Sequence, residues 1–537
     1  MAINPNTTIY LCAGIPWGND YAHVRLFQNM EERLSFLSTK IVATLDGATY
    51  QRDDKFVSFP ANYETIANCN YMYYRNNNRW YFNFITDIRF QNENKSDVYF
   101  EQDVFQTWFA DNTLKISFVE REHTNDDTFG NNLVPENLET GEYVYNTNIT
   151  SGYGTIYDFT PGIIIGVSER LDGAATSDLL DNTFTGLSYY YAKKERFDVA
   201  VNFVEEYAKS GKADAIITIF MYPLELINVF DASPSYGWVS GFGNERIYGN
   251  KLLNVFAPLD GYTPKNNKMY SYPYRALEVY GSGSGGKEYR YEYFDFDAHG
   301  TNGPFVLFSA LGGSAPIVAT PLNYKGLNIC LDESVTMNAF PTCSWVNDTF
   351  KNWYAQNQLG LNIGVVTGTI AGAQGAITGV LTGNYVGAVD STVGAVSKIL
   401  DTMVTITQHQ ILPDSARGNT ASANAFFANG QWYFYMFPKC IRYEFAKRID
   451  DYFTMFGYKT NELKIPNLYG RKSWNFVKCT ECNLIDSIPV VAHNRIKQAF
   501  ETGVTFWHTN DIKNYGLDNS IAVSYTHLRA HETAANL

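Results

Sequence analysis

Arg75-Asn-Asn-Asn-Arg79 followed by Trp80-Tyr-Phe-Asn-Phe-Ile-Thr-Asp-Ile88 is the stretch on which the fold turns. Asparagine tolerates left-handed backbone and bonds its own main chain, so a run of three marks a turn. The aromatic and β-branched residues after it suit a pleated, half-buried surface, which makes them a strand. The same grammar of short strands and turn signals extends outward from Thr7 to about His123, and predicts an antiparallel β-domain. Aromatic residues make up 16% of the chain, with 39 Tyr and 36 Phe, which extends the β-rich expectation to the whole molecule.

At 537 residues the chain exceeds one ordinary core, so several domains or one elongated assembly are expected. A formal charge of -14 excludes a reader of nucleic-acid sequence, because phosphate affinity rests on clustered Lys and Arg. Acidic walls would instead repel passing DNA. Cys12, Cys69, Cys330, Cys343, Cys440, Cys479 and Cys482 are too few for a secreted disulfide scaffold, and a reducing compartment at assembly is expected. The N-terminus Met1-Ala-Ile-Asn-Pro-Asn-Thr-Thr lacks the basic and apolar regions of a signal peptide.

Between residues 150 and 350, strand-like runs such as Gly162-Ile-Ile-Ile-Gly-Val167 alternate with helical patterns, including Phe197 to Ser210. Gly281-Ser-Gly-Ser-Gly-Gly286 has the spacing of a dinucleotide fingerprint, but the following Lys287-Glu-Tyr-Arg-Tyr-Glu-Tyr-Phe-Asp-Phe296 alternates like a strand, which makes the glycines a hairpin loop.

The largest compositional break runs from Asn352 to Val389, which contains no Asp, Glu, Lys or Arg although such residues form 18% of the chain. Within it Gly360, Gly364, Gly368, Gly372, Gly375, Gly379, Gly383 and Gly387 repeat at GxxxG spacing, and Ile363, Val366, Ile370, Ile377, Val380 and Leu381 stand between them. On a helix these glycines form one stripe. Glycine costs a water-exposed helix about 1 kcal/mol per position, whereas close helix packing in lipid favours small residues at i and i+4. Asn362, Gln374 and Asn384 hold the hydrophobicity below that of a permanent anchor, which points to conditional insertion of several copies. Burial as a packing segment in a soluble assembly is the competing reading. An amphipathic stretch from Thr392 to Gln410 and a polar linker from Ser415 to Asn424 follow, before strand-like sequence resumes at Gln431-Trp-Tyr-Phe-Tyr-Met-Phe437.

No catalytic or metal motif stands out. Cys479-Thr-Glu-Cys482 is a single CxxC, read as ordinary thiols at a strand end. Asp295, Asp297 and His299 in Phe294-Asp-Phe-Asp-Ala-His299 are the one candidate acid/base or calcium cluster, against the simpler reading of a strand with a polar face. No cofactor is expected. A tail-associated glycan or peptidoglycan hydrolase built on that cluster, and a receptor-binding adhesin housed in residues 150–350, are the alternative functions.

Two blocks carry a family resemblance. Val98-Tyr-Phe-Glu-Gln-Asp-Val-Phe-Gln-Thr-Trp108 with Phe118-Val-Glu-Arg-Glu-His123 resembles the N-terminal tube block of the distal tail tube, or tail knob, family of short-tailed Bacillus phages of the phi-twenty-nine group. Tyr452-Phe-Thr-Met-Phe-Gly-Tyr-Lys459, Pro466-Asn-Leu-Tyr-Gly-Arg-Lys-Ser-Trp-Asn-Phe-Val477 and Gly503-Val-Thr-Phe-Trp-His-Thr509 resemble its C-terminal block, and Trp17 with Asn19, Asp20 and Tyr21 adds a weaker match.

The resemblance implies a mainly β protein. A tube domain of β-barrel or β-sandwich type is formed by both ends of the chain, 1–150 and 429–522, around a β-rich middle region at 151–350 and an inserted helical or irregular hydrophobic loop and linker at 351–428. It also implies a homo-hexamer at the distal tip of the virion tail that contacts other tail proteins, plugs the lumen, and on infection releases its loops into the host cytoplasmic membrane as a channel for viral DNA. Family loops are rich in Gly, Ala and Met. Here Met is absent between Asn352 and Lys398, so glycine spacing is left to carry the packing. Residues 523–537 resemble translated sequencing-adapter read-through and are expected to be non-native, with the native chain ending between Ser520 and Val523.

Overall fold

The computed structural model describes residues 7–48, 56–145, 156–346, 417–421 and 434–522, apart from 77, 158, 175–178, 181–182, 185–186, 230–234, 243–245, 250–252, 282–283, 300–301, 310–316, 338–341 and 486–487. The chain forms two compact units. Residues 1–141, 261–269 and 443–537 make the first, and residues 142–260 and 270–442 the second.

The first unit is organised by the hairpin read from Arg75 to Ile88. Strands Cys69–Asn76 and Arg79–Asn92 pair from Asn76↔Arg79 inward, and Asn78 takes φ 68° in the turn, where asparagine is tolerated best after glycine. They are central in a six-stranded antiparallel sheet ordered Ile41–Ala48, Thr7–Ala13, Cys69–Asn76, Arg79–Asn92, Lys95–Gln102, Phe56–Phe59. Side chains of a strand alternate between faces. Tyr71 and Tyr73 accordingly enter one core with Cys12, Phe82 and Phe84, while Met72 and Tyr74 enter another with Ile9, Leu11 and Val98. Both faces are covered, which is why this strand reads as a continuous apolar run and not as an alternation.

The two ends of the chain interleave in a second sheet of the same unit, ordered His23–Arg25, Val504–Trp507, Trp474–Glu481, Ser117–Glu122, Tyr458–Lys464. Its first pair is parallel, with Val24 opposite Phe506. Trp17, Phe105 and Val119 share one core with Val477, Phe500 and Phe506, so both quoted blocks are parts of a single domain. Helix Val490–Thr502 adds a stripe of Ala492, Ile496, Ala499 and Phe500. Helix Tyr443–Phe456 buries Ala446, Ile449, Asp450 and Phe453 at the i, i+3, i+4, i+7 spacing of an amphipathic helix.

In the second unit a seven-stranded antiparallel sheet runs Ile227–Val229, Tyr236–Phe242, Ser188–Lys193, Pro161–Val167, Ile216–Pro223, Thr342–Val346, Arg417–Ala421. Gly162-Ile-Ile-Ile-Gly-Val167 is a central strand as expected, and a Cβ on Gly162 would lie 2.1 Å from the Leu224 side chain. Helix Phe197–Lys209 covers one face, with Ala200 and Tyr207 against Ile163, Ile165 and Val167. The glycine run at 281–286 joins antiparallel strands Arg275–Gly281 and Gly286–Tyr289, which Phe434–Ile441 extends. The alternation after Gly286 does not persist as one strand: Tyr289 ends it, and Tyr291–Tyr293 and Asp297–His299 form 3-10 turns. Rings of Tyr289, Phe294, Phe305 and Tyr324 meet there, and that packing bends the chain where alternation alone would extend it.

Candidate functional site at the root of the insertion

The glycine stripe from Gly360 to Gly387, with the apolar residues Ile363, Val366, Ile370, Ile377, Val380 and Leu381, lies outside the described residues. Its root does not. Thr342–Val346 pairs antiparallel with Arg417–Ala421 from Thr342↔Ala421 to Val346↔Arg417. Val346 and Arg417, the described residues on either side of 347–416, therefore face each other, roughly 5 Å apart between α-carbons. Thr342–Val346 is held on its other side by Ile216–Pro223, through Phe220↔Thr342, Ile219↔Cys343 and Thr218↔Ser344. The two strands that bracket residues 347–416 thus belong to the β-scaffold of the second unit.

The cluster singled out by sequence does not assemble as an acid/base site. Asp295 and Asp297 are exposed, whereas His299 is 6% exposed, against the rings of Phe294 and Phe296. Burial pushes the His299 imidazole below its ordinary value, only partly offset by Asp295, and neither ring nitrogen has a hydrogen-bond partner among the described residues. Asp295 Oδ1 accepts from the Ala298 N–H at 3.3 Å, so its carboxylate closes the local turn. Cys479 lies in the core strand Trp474–Glu481 and Cys482 just beyond it, both buried and free. No group of three or more metal-ligating side chains occurs among the described residues, and no described helix is long and apolar enough to cross a membrane.

The quoted family blocks prove to be structural. Asp103 caps helix Val104–Trp108 by accepting from the N–H groups of Phe105 and Gln106, and also accepts from Tyr71 Oη at 2.8 Å and Trp17 Nε1 at 3.2 Å. Burial pushes its carboxyl up to about 6 despite those donors. Arg121 joins Glu136, whose carboxylate also accepts from Lys268 Nζ at 2.7 Å and the Lys459 N–H at 2.9 Å. Asp450 accepts from Tyr262 Oη, Asn266 Nδ2 and the N–H groups of Lys265 and Asn266. These carboxylates hold residues 261–269 in the first unit, although the sequence on either side belongs to the second. Sequence reading missed them, since nothing local marks Glu136 as buried. The helix around Asp450 did carry a signal, in the spacing of Ala446, Ile449 and Phe453.

Comparison with known proteins defines the class first. Residues 5–113 match the family described as Caudoviral major tail protein N-terminus, and curated relatives aligned along nearly the whole chain are structural tail knob proteins, not enzymes; the chain is a virion structural protein of a phage tail. Residues 243–520 match the family described as Bacillus phage phi29, Tail knob protein gp9, C-terminal domain, and the chain belongs to that family. The tail knob protein gp9 of Bacillus phage PZA is 23% identical, and that of Bacillus phage phi29 24% identical, each alignment covering 96% of this chain and 98% of the relative. The solved tail knob protein gp12 of bacteriophage C1 shares the fold, with a TM-score of 0.61 at 15% identity, over 96% of this chain and all of that one.

Proposed function

We propose that this tail protein forms a homo-hexameric knob at the distal tip of the virion tail, and that residues of about 352–412 plug its lumen and on infection enter the host cytoplasmic membrane as a channel for the genome. One observation carries the reading: the charge-free segment Asn352–Val389, with glycines at GxxxG spacing, falls between Val346 and Arg417, which face each other across one strand pair. A segment tethered in this way leaves its storage site as a loop without unravelling the sheet. Displacement exposes apolar faces that a bilayer reburies, so a trigger at the cell surface needs only to bias an equilibrium between two environments. The acidic chain supports passage of DNA without sequence-specific binding.

The register supplies the control. Because Val346 faces Arg417, replacing residues 347–416 by a two-residue Asn-Gly turn closes the pair as an ordinary hairpin. The assembled protein should release dye from liposomes, and the shortened one should fold and assemble equally well but release none. Equal leakage from both would refute membrane entry by this segment.

A further inference from the structure

We propose that a cleft in the second unit, lined by Glu288, Arg290, Tyr293, Tyr324, Lys325 and Glu333, binds a neutral saccharide unit. Its volume is about 560 Å³, within the usual range for small-ligand sites. The frame is built. Lys325 and Gly326, at φ 54° and 75°, form the two-residue turn between Tyr324 and Leu327, and the Lys325 N–H bonds the Tyr293 carbonyl at 2.8 Å. Tyr324 Oη accepts from the Arg290 N–H at 3.2 Å, and the Asp295 N–H bonds the Asn323 carbonyl at 2.9 Å.

The side chains specify the ligand class. Carboxylates and a guanidinium offer the paired acceptors and donors that vicinal hydroxyls bond in bidentate fashion, beside the partly exposed ring of Tyr293. The Arg290 guanidinium is oriented by the rings of Tyr272 and Tyr293, at 4.0 and 5.4 Å, and bonds Tyr293 Oη at 3.1 Å. Charge is balanced within the cleft. Glu333 pairs with Lys325 and, at 2.8 Å, with Lys287, while Glu288 pairs with Lys439. A ligand that met Lys325, Glu288 or Glu333 through a charge would have to break one of these pairs, whereas a neutral polyol bonds their remaining lone pairs and the Arg290 N–H groups and leaves them intact.

The test is saturation-transfer NMR on the full chain with the methyl glycosides of glucose, galactose and N-acetylglucosamine, against glucose 6-phosphate and glucosamine as charged forms of the same ring. Transfer to at least one neutral glycoside is expected, weakened about tenfold by Glu288→Gln and by Tyr293→Ala, as for loss of one charge-assisted hydrogen bond or one ring contact. Absence of transfer to every neutral probe overturns the proposal. So does stronger transfer to a charged probe, or binding that both substitutions leave unchanged.

Discussion

Replacing Glu136 by Gln should loosen the first unit by about 3 kcal/mol, a figure that follows from the exposure of its partners. The Glu136 side chain is 1% exposed, that of Lys268 3% and that of Arg121 10%, so all three charges are withdrawn from water. Removing one partner of a buried ion pair costs about 3–5 kcal/mol, because the remaining charge is left uncompensated. Here the cations retain backbone acceptors: Lys268 Nζ bonds the Val134 carbonyl at 2.8 Å, and Arg121 bonds the Gly457 carbonyl at 2.7 Å. These bonds place the loss at the lower end of the range. Hydrogen exchange followed by mass spectrometry resolves the effect within one unit. Amides of Ser117–Glu122 and Tyr458–Lys464, the strands on either side of this site, should exchange about 150-fold faster. Adding Lys268→Met should recover a substantial part, since one orphaned cation is then gone. Exchange accelerated less than about fivefold would refute the view that Glu136 is compensating buried charge.

Two further outcomes follow from the same unit and its neighbour. His123 is held neutral, its Nδ1 accepting from the Phe476 N–H at 2.8 Å, and burial, with Arg471 beside it, pushes its pKa from 6.5 to about 3. The unfolded chain takes up a proton below about pH 6.5 that folded His123 does not, so between these values stability falls as pH falls, by up to about 1.4 kcal/mol per pH unit. Asp103, raised to about 6, binds its proton earlier when folded and opposes part of that slope. His123→Asn keeps an acceptor for Phe476 and should flatten the stability-against-pH profile by about one proton; an unchanged slope would show that His123 does not set it. Gly457 and Gly211 both follow helices at positive φ, but a Cβ on Gly457 would lie 2.1 Å from the Glu122 carbonyl oxygen, whereas one on Gly211 meets nothing within 4 Å. Gly457→Ala should therefore cost at least about 3 kcal/mol and Gly211→Ala about 1 kcal/mol, measured by denaturant unfolding. Equal losses would rule out the contact with Glu122 as the cause.

Local chemistry carried far along this chain. The turn at Asn78, the strand Pro161–Val167 and the helix Phe197–Lys209 each have a cause within a dozen residues: a tolerated left-handed position, β-branched runs between glycines, and an apolar stripe. Where the cause is distant, the reading stopped. The run after Gly286 alternates like a strand in sequence, yet its strand ends at Tyr289, and Phe294 packs on Tyr324, a residue that no local pattern brings near. The saccharide cleft draws on side chains from Glu288 to Glu333, and no spacing motif announces it.

Composition and spacing by themselves determined that the protein is mainly β and that it carries a charge-free glycine-spaced insertion, while the family resemblance of two sequence blocks implied that its two ends form one tail-tube domain. These properties are written in side-chain type, and strand propensity, turn chemistry and loss of charge act over a few neighbours. Only the tertiary structure decided which strands meet: Val24 beside Phe506, residues 261–269 against Asp450, and Val346 opposite Arg417 at the root of the insertion. Such pairings are set by the burial of surfaces remote in sequence, and they exist only once the whole chain has closed around them.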